Sequence, residues 1–161
     1  MKILGIDPGT GRTGWAVIEK NGGRETMVGY GCLETKVNSP LPERLEKVFE
    51  FMRELNNQFD PDEVAVEELF FATNAKTAMS VGQSRGVVLL AFQLLKKPTF
   101  SYTPLQVKMA VAGYGKADKG QVQTMVKRIL KLKEIPKPDD AADALAVALT
   151  HSATGVLMKR R

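Results

Sequence analysis

Residues 7–14 read Asp-Pro-Gly-Thr-Gly-Arg-Thr-Gly and follow directly on the apolar run Ile3-Leu4-Gly5-Ile6. The run has the composition of a short buried strand, and the glycines after it mark a tight turn. An aspartate at the end of such a strand is unusual, because Asp is depleted in strands. A carboxylate in a dry place must be paired, protonated or bound to a metal. Beyond the turn, Gly14-Trp15-Ala16-Val17-Ile18-Glu19 reads as a second strand. Asn21-Gly22-Gly23 is a hairpin signal, and residues 24–35 alternate well enough for a third strand. The chain therefore opens in an antiparallel meander, with Asp7 at its first corner.

The pattern then changes. Leu41, Leu45, Val48, Phe49, Met52 and Leu55 keep helical spacing to about residue 57. Residues 63–67, Glu-Val-Ala-Val-Glu, form a buried strand, and a helix is expected over about 75–95. Residues 99–102 make a fifth strand. Short helices follow over about 104–111 and 119–130, separated by the loop Gly113-Tyr114-Gly115. Pro136 and Pro138 break the chain, and Asp139 or Asp140 is expected to cap a final helix through about Ala153. The order β-β-β-α-β-α-β-α-α-α predicts an α/β fold with a five-stranded mixed sheet flanked by helices.

The 161 residues suit a single domain over residues 1–161, ending in a basic tail at about 156–161. No apolar run approaches the roughly 20 residues needed to span a bilayer. With no signal-peptide layout at the start, the expected location is cytoplasmic, with no membrane partner. The one cysteine, Cys32, and the one histidine, His151, exclude an internal disulfide and a Cys/His zinc site. Cys32 reads as a small buried apolar residue. The net charge of +5 favours polyanionic partners.

Two further acidic sites share the odd context of Asp7. Glu67 ends the strand at 63–67, and Asp140 and Asp143 open an otherwise apolar helix. At i and i+3 these aspartates share one helix face, roughly 60° apart. In open sheets, ligands gather at the carboxyl ends of strands, where Asp7 and Glu67 both sit. If the final helix packs across those ends, four carboxylates converge. Such hard oxygen donors suit Mg²⁺ or Mn²⁺. Two such ions about 3.5–4 Å apart can serve phosphodiester cleavage. The plainer readings are Asp7 as a turn residue, Asp140 as a helix cap, and Asp143 as a charge favouring the helix dipole.

The stretches GIDPGTGRTGWAVIE, AVEELFFATNAKTAMSVGQSRG, TPLQVKMAVAGYGKADKGQVQTMV and DDAADALAVALTH closely resemble the RuvC family of bacterial Holliday-junction resolvases. The match runs in order over nearly the whole chain. The resemblance implies an RNase H-like fold and a homodimer. It also implies paired, Mg²⁺-dependent cutting of four-way DNA junctions in recombination and repair, with Mn²⁺ as a substitute and two ions per subunit. The family's catalytic carboxylates fall on Asp7, Glu67, Asp140 and Asp143, and its lysines on Lys108 and Lys119. Its junction aromatic falls on Phe70, with Phe71 beside it as an alternative. A branch-migration motor of RuvA and RuvB is implied by the resemblance alone.

An exposed aromatic beside a catalytic acid is a stacking platform for unpaired bases, and Asn74 lies in the same loop. Lys108, Lys116 and Lys119 flank a glycine-rich loop able to follow a phosphate backbone. Arg85 reads as a phosphate contact or as a helix-surface or interface residue. The helix at 75–95 is more apolar than one sheet requires, which predicts sharing with a second subunit. Three other readings fit parts of the pattern, one of them another RNase H-like nuclease acting on RNA. An actin-like or sugar-kinase-like phosphate loop would need a second half for which 161 residues leave no room. A non-catalytic nucleic-acid binder would leave the four acids unexplained.

Overall fold

The computed structural model describes residues 1–68 and 75–158, with side chains for 1–68 and 78–154. Phe70, Phe71 and Asn74 lie outside the described residues, as do the side chains of the basic tail. The elements are β1 (Lys2–Asp7), β2 (Arg12–Asn21), β3 (Arg24–Glu34), α1 (Leu41–Phe59), β4 (Glu63–Glu67), α2 (Ala75–Leu94), β5 (Thr99–Tyr102), α3 (Pro104–Ala112), α4 (Lys119–Ile129) and α5 (Asp139–Met158). The expected order of elements is reproduced.

The strands form one mixed sheet in the order β3-β2-β1-β4-β5. β1 runs antiparallel to β2 and parallel to β4, and β4 runs parallel to β5. Gly22 and Gly23 both take positive φ, +57° and +85°, as a tight two-residue hairpin turn requires. The register of β1 against β4 pairs Gly5 with Ala65 and Ile6 with Val66. Side chains alternate along a strand, so Ile3, Gly5 and Asp7 share one face of β1. Glu63, Ala65 and Glu67 share the same face of β4. Asp7 and Glu67 therefore leave neighbouring strands on the same side.

That side carries α3, α4 and α5, packed through Ile3, Ala65, Val107, Val122, Val126 and Leu145. The other side carries α1 and α2, packed on Leu4, Ile6, Val64 and Val66 by Val48, Met52, Val88 and Phe92. Each such fully buried aliphatic side chain contributes on the order of 1.5–3 kcal/mol. The alanines of α5 bring its backbone hard against the sheet. A Cβ at Gly5 would overlap the carbonyl oxygen of Ala144, and one at Gly14 would overlap that of Asp140. Gly14 thus lets the start of α5 sit directly over the β1–β2 corner.

Three local expectations are corrected. α5 begins at Asp139, so Asp140 lies within its first turn rather than before it. The helix also runs to Met158 rather than stopping near Ala153. Cys32 is half-buried, on the strand next to Arg12, and not a core residue. Among the described residues no helix is long and apolar enough to cross a membrane.

Candidate active site

The centre of the site is a pair of carboxyl groups. The side chains of Asp7 and Glu67 lie within hydrogen-bonding reach of each other, so each carboxyl meets a like group rather than a cation. Burial pushes Asp7 up to about 7, with the charges of Asp143 and Asp140 adding to it. Burial and the charge of Asp7 push Glu67 up to about 8. Two buried acids left this poorly neutralised make this end of the sheet a functional-site candidate.

The other two acids come from α5. Asp143 is also raised, chiefly by burial, although Lys119 Nζ lies 2.9 Å from its Oδ2 and works the other way. Burial works against the charge on Lys119. Asp143 and Asp139 outweigh it and hold the ammonium above its ordinary range. Asp140 is drawn to Arg12, whose Nε lies 3.2 Å from its Oδ2. The same guanidinium reaches Glu34 through Nη2 at 3.1 Å. The expected convergence of four acids is therefore only partial. Among the described residues no three acids stand together as ligands for one metal ion. The reason is electrostatic: like charges repel, and Arg12 and Lys119 each hold one carboxylate off to the side. The donor set still fits a hard divalent cation, since all four groups offer carboxylate oxygens and neither sulfur nor imidazole stands among them.

The backbone under these acids is tied down from α2. Ser84 Oγ donates to the carbonyl of Gly9 at 3.1 Å, and Thr10 Oγ1 donates to the carbonyl of Ser80 at 2.6 Å. Arg85, expected as a phosphate contact, donates through Nε to the carbonyl of Glu67 at 3.2 Å. Its Nη2 donates to Ser101 Oγ at 2.7 Å. Its visible work is to hold the end of β4. Thr13 and Thr35 fasten the turn from the other side, donating to the carbonyls of Gly9 and Thr10, each at 2.6 Å.

A pocket of ≈ 210 Å³ opens beside the acids, lined by Glu67, Asp143, Lys108, Lys119, Val107 and Ala146 among others. Both lysines are placed by well-capped helices. Thr103 and Gln106 form a capping box at the start of α3, and Asp118 and Gln121 form one at the start of α4. Lys119 is thereby the first residue of α4. Lys116 is exposed on the loop between the helices and does not line this pocket. Reading the sequence missed Arg12, Asp139 and Ser84. Arg12 stood within the quoted turn, but nothing in its spacing announced Asp140, which lies far along the chain.

The family model for crossover junction endodeoxyribonuclease RuvC matches residues 3–151. The chain belongs to the RuvC family. A curated family member from Desulfitobacterium hafniense is 54% identical over 160 residues, which is 99% of this chain and 97% of that protein. Among solved structures, Thermus thermophilus RuvC in complex with a Holliday junction substrate aligns with a TM-score of 0.92 at 38% identity. That alignment covers 98% of this chain and 96% of the other. The yeast mitochondrial Holliday junction resolvase Ydc2 shares the fold, with a TM-score of 0.74 at 14% identity over 98% of this chain and 80% of its own. The fold is RNase H-like, and family members are metal-dependent nucleases that hydrolyse DNA phosphodiester bonds.

Proposed function

We propose that this chain resolves four-way DNA junctions by paired, Mg²⁺-dependent hydrolysis in recombination and repair. One observation carries the reading: two under-neutralised carboxyl groups sit side by side on parallel strands, with Asp143 and Lys119 across from them. Asp7, Glu67, Asp140 and Asp143 would hold the metal, with two ions per subunit and Mn²⁺ as a substitute. Bound there, the ions supply Lewis acidity at the scissile phosphate and ready a water for attack. Asp7 and Glu67 must be ionised to become ligands. Lys119 and Lys108, at the pocket mouth, then face the phosphate and stabilise charge as it develops. Arg12 and Lys119 hold Asp140 and Asp143 until the site is filled.

The reading extends to residues outside the described ones. Phe70 or Phe71 is assigned to stacking on unpaired bases and Asn74 to the same loop contact, with Lys116 on the phosphate backbone. Two copies suit a substrate with two equivalent strands. The exposed Met79, Leu90 and Leu94 of α2 offer the surface for a homodimer. RuvA and RuvB are the expected partners, in the cytoplasm, and the chain works as one nuclease domain.

The test uses an immobile four-way junction with matched duplex, single-strand and RNA controls. Wild type and Asp7→Asn are compared in Mg²⁺ and in chelator. Symmetric nicks in the junction alone, requiring both Mg²⁺ and Asp7, are expected. Junction binding without cutting under any metal overturns the reading.

A further inference from the structure

The site lies beside a strongly basic segment that the nuclease chemistry does not use. Residues 127–137 carry five cations, Lys127, Arg128, Lys131, Lys133 and Lys137, against the single anion Glu134. This stretch of eleven residues holds net +4 of the chain's +5. It connects α4 to α5 and enters α5 two residues before Asp139. Arg128, Lys131, Lys133 and Lys137 are all exposed. None of the four forms an ion pair among the described residues, whereas Arg12, Lys97 and Lys119 all do.

The connection is also firmly built. The amide of Leu132 donates to the carbonyl of Lys127 at 2.9 Å, and that of Lys131 donates to the carbonyl of Arg128 at 3.2 Å. With Lys131 at φ +53°, this is a Schellman ending for α4. Leu132 packs on the core and Pro136 is buried. The cations are therefore presented from a fixed backbone. A groove of ≈ 430 Å³ runs between this segment and β3, with Lys133 and Lys137 on one wall and Tyr30 on the other.

We propose that the segment 127–137 is a docking strip for the sugar–phosphate backbone of a duplex arm leaving the cut site. Duplex DNA presents one negative charge per about 1.7 Å of axis, a density that an unpaired row of cations matches. Along the chain the strip leads into Asp139 and Asp140, at the start of the helix that carries two of the acids. The Tyr30 hydroxyl adds a hydrogen-bonding group on the far wall. These are phosphate contacts, which position DNA without reading its sequence. The strip rests on the resolvase reading only in naming the arm; its chemistry predicts contact with any duplex.

The test measures binding of a labelled junction and a labelled duplex to the full chain in chelator, across a salt series. The variant is Lys131→Asn with Lys133→Gln and Lys137→Gln. Asn is chosen at position 131 because it tolerates the left-handed backbone there. A control removes the same charge elsewhere, by Lys47→Gln and Arg53→Gln on α1, on the opposite side of the sheet, and Lys36→Gln in the loop after β3. Each lost phosphate contact lowers the slope of log K against log salt by about 0.9. The strip variant is expected to lose about 2.7 of slope and on the order of 100-fold in affinity at about 0.1 M salt. The control should lose little of either. An unchanged slope, or equal losses in strip variant and control, overturns the proposal. Loss of slope on duplex in a protein that cuts no junction would keep the strip and reject the resolvase reading.

Discussion

Glu63 and Glu67 stand at the two ends of β4, on the face covered by α5, and their surroundings differ completely. Glu63 Oε2 lies 2.7 Å from His151 Nε2. His151 Nδ1 lies 2.6 Å from the hydroxyl of Tyr102, which accepts from Thr154 Oγ1 at 3.1 Å. The ring of His151 also lies 4.5 Å from that of Phe100, and the histidine is 1% exposed. Each polar atom of this row meets a complementary one, which is how a buried polar network stiffens a core. Glu67 instead faces Asp7 and Asp143, and burial with like charge pushes it up to about 8. The same residue type on the same strand is neutralised by a partner at one end and left among like charges at the other. A carboxylate placed among other carboxylates destabilises the fold unless a cation offsets the charge, which supports the proposed role of Glu67 as a metal ligand.

The sharpest way to break this comparison is to neutralise one end at a time. Glu67→Gln removes a proposed metal ligand and should lower junction cutting by about 10³-fold or more, some 4 kcal/mol of barrier. It should leave junction affinity in chelator nearly unchanged. His151→Ala should do the reverse. It strands Glu63 in the core, at a loss of about 3–5 kcal/mol of stability, or roughly 10 °C in Tm for a chain of this size. The folded fraction should cut at the wild-type rate. A His151→Ala protein with normal Tm but no cutting would mean the two ends had been assigned the wrong way round.

A pH series tests the Asp7–Glu67 end by sign. Asp7 and Glu67 are raised in the folded chain from 3.8 and 4.5 to about 7 and about 8. Between about pH 4 and pH 8 the folded state therefore binds more protons than the unfolded state, and stability falls as pH rises. In chelator, the Tm of wild type should drop from pH 5 to pH 8, and Asp7→Asn should flatten that slope. Millimolar Mg²⁺ should restore Tm at pH 8, since it binds only the folded cluster. A wild-type Tm that Mg²⁺ leaves unmoved would count against the acids as ligands.

Much of this was legible in the chain because it rests on short-range pattern. Short apolar runs put Asp7 and Glu67 at strand ends, and the i, i+3 spacing put Asp140 and Asp143 on one helix face. What could not be read is whatever depends on register between distant segments. His151 reaches Glu63 across 88 residues, and Arg85 reaches the Glu67 carbonyl across 18. Neither pairing leaves a trace in local spacing. The helix expected to end near Ala153 runs on to Met158, because no proline interrupts it there. Cys32 was misread because small size suggests burial, while its position on β3 next to Arg12 decides its exposure.

The smallest effect concerns Arg12, and it tests whether the functional end is kept under-neutralised by design. Arg12 bridges Asp140 and Glu34 with a side chain about half exposed. As an exposed surface pair, the contact adds little to the fold, so Arg12→Gln should shift Tm in chelator by no more than a few degrees. Its consequence for the metal should be larger than for the fold. Removing the guanidinium frees Asp140 and makes the site more negative. The Mg²⁺ concentration that half-restores Tm at pH 8 should therefore fall. Glu34→Gln should raise it, because Arg12 then rests on Asp140 alone. Were both substitutions to move the midpoint the same way, Arg12 would be orienting Asp140 rather than competing for it. The mismatch at this end of β4 would then be set by burial alone.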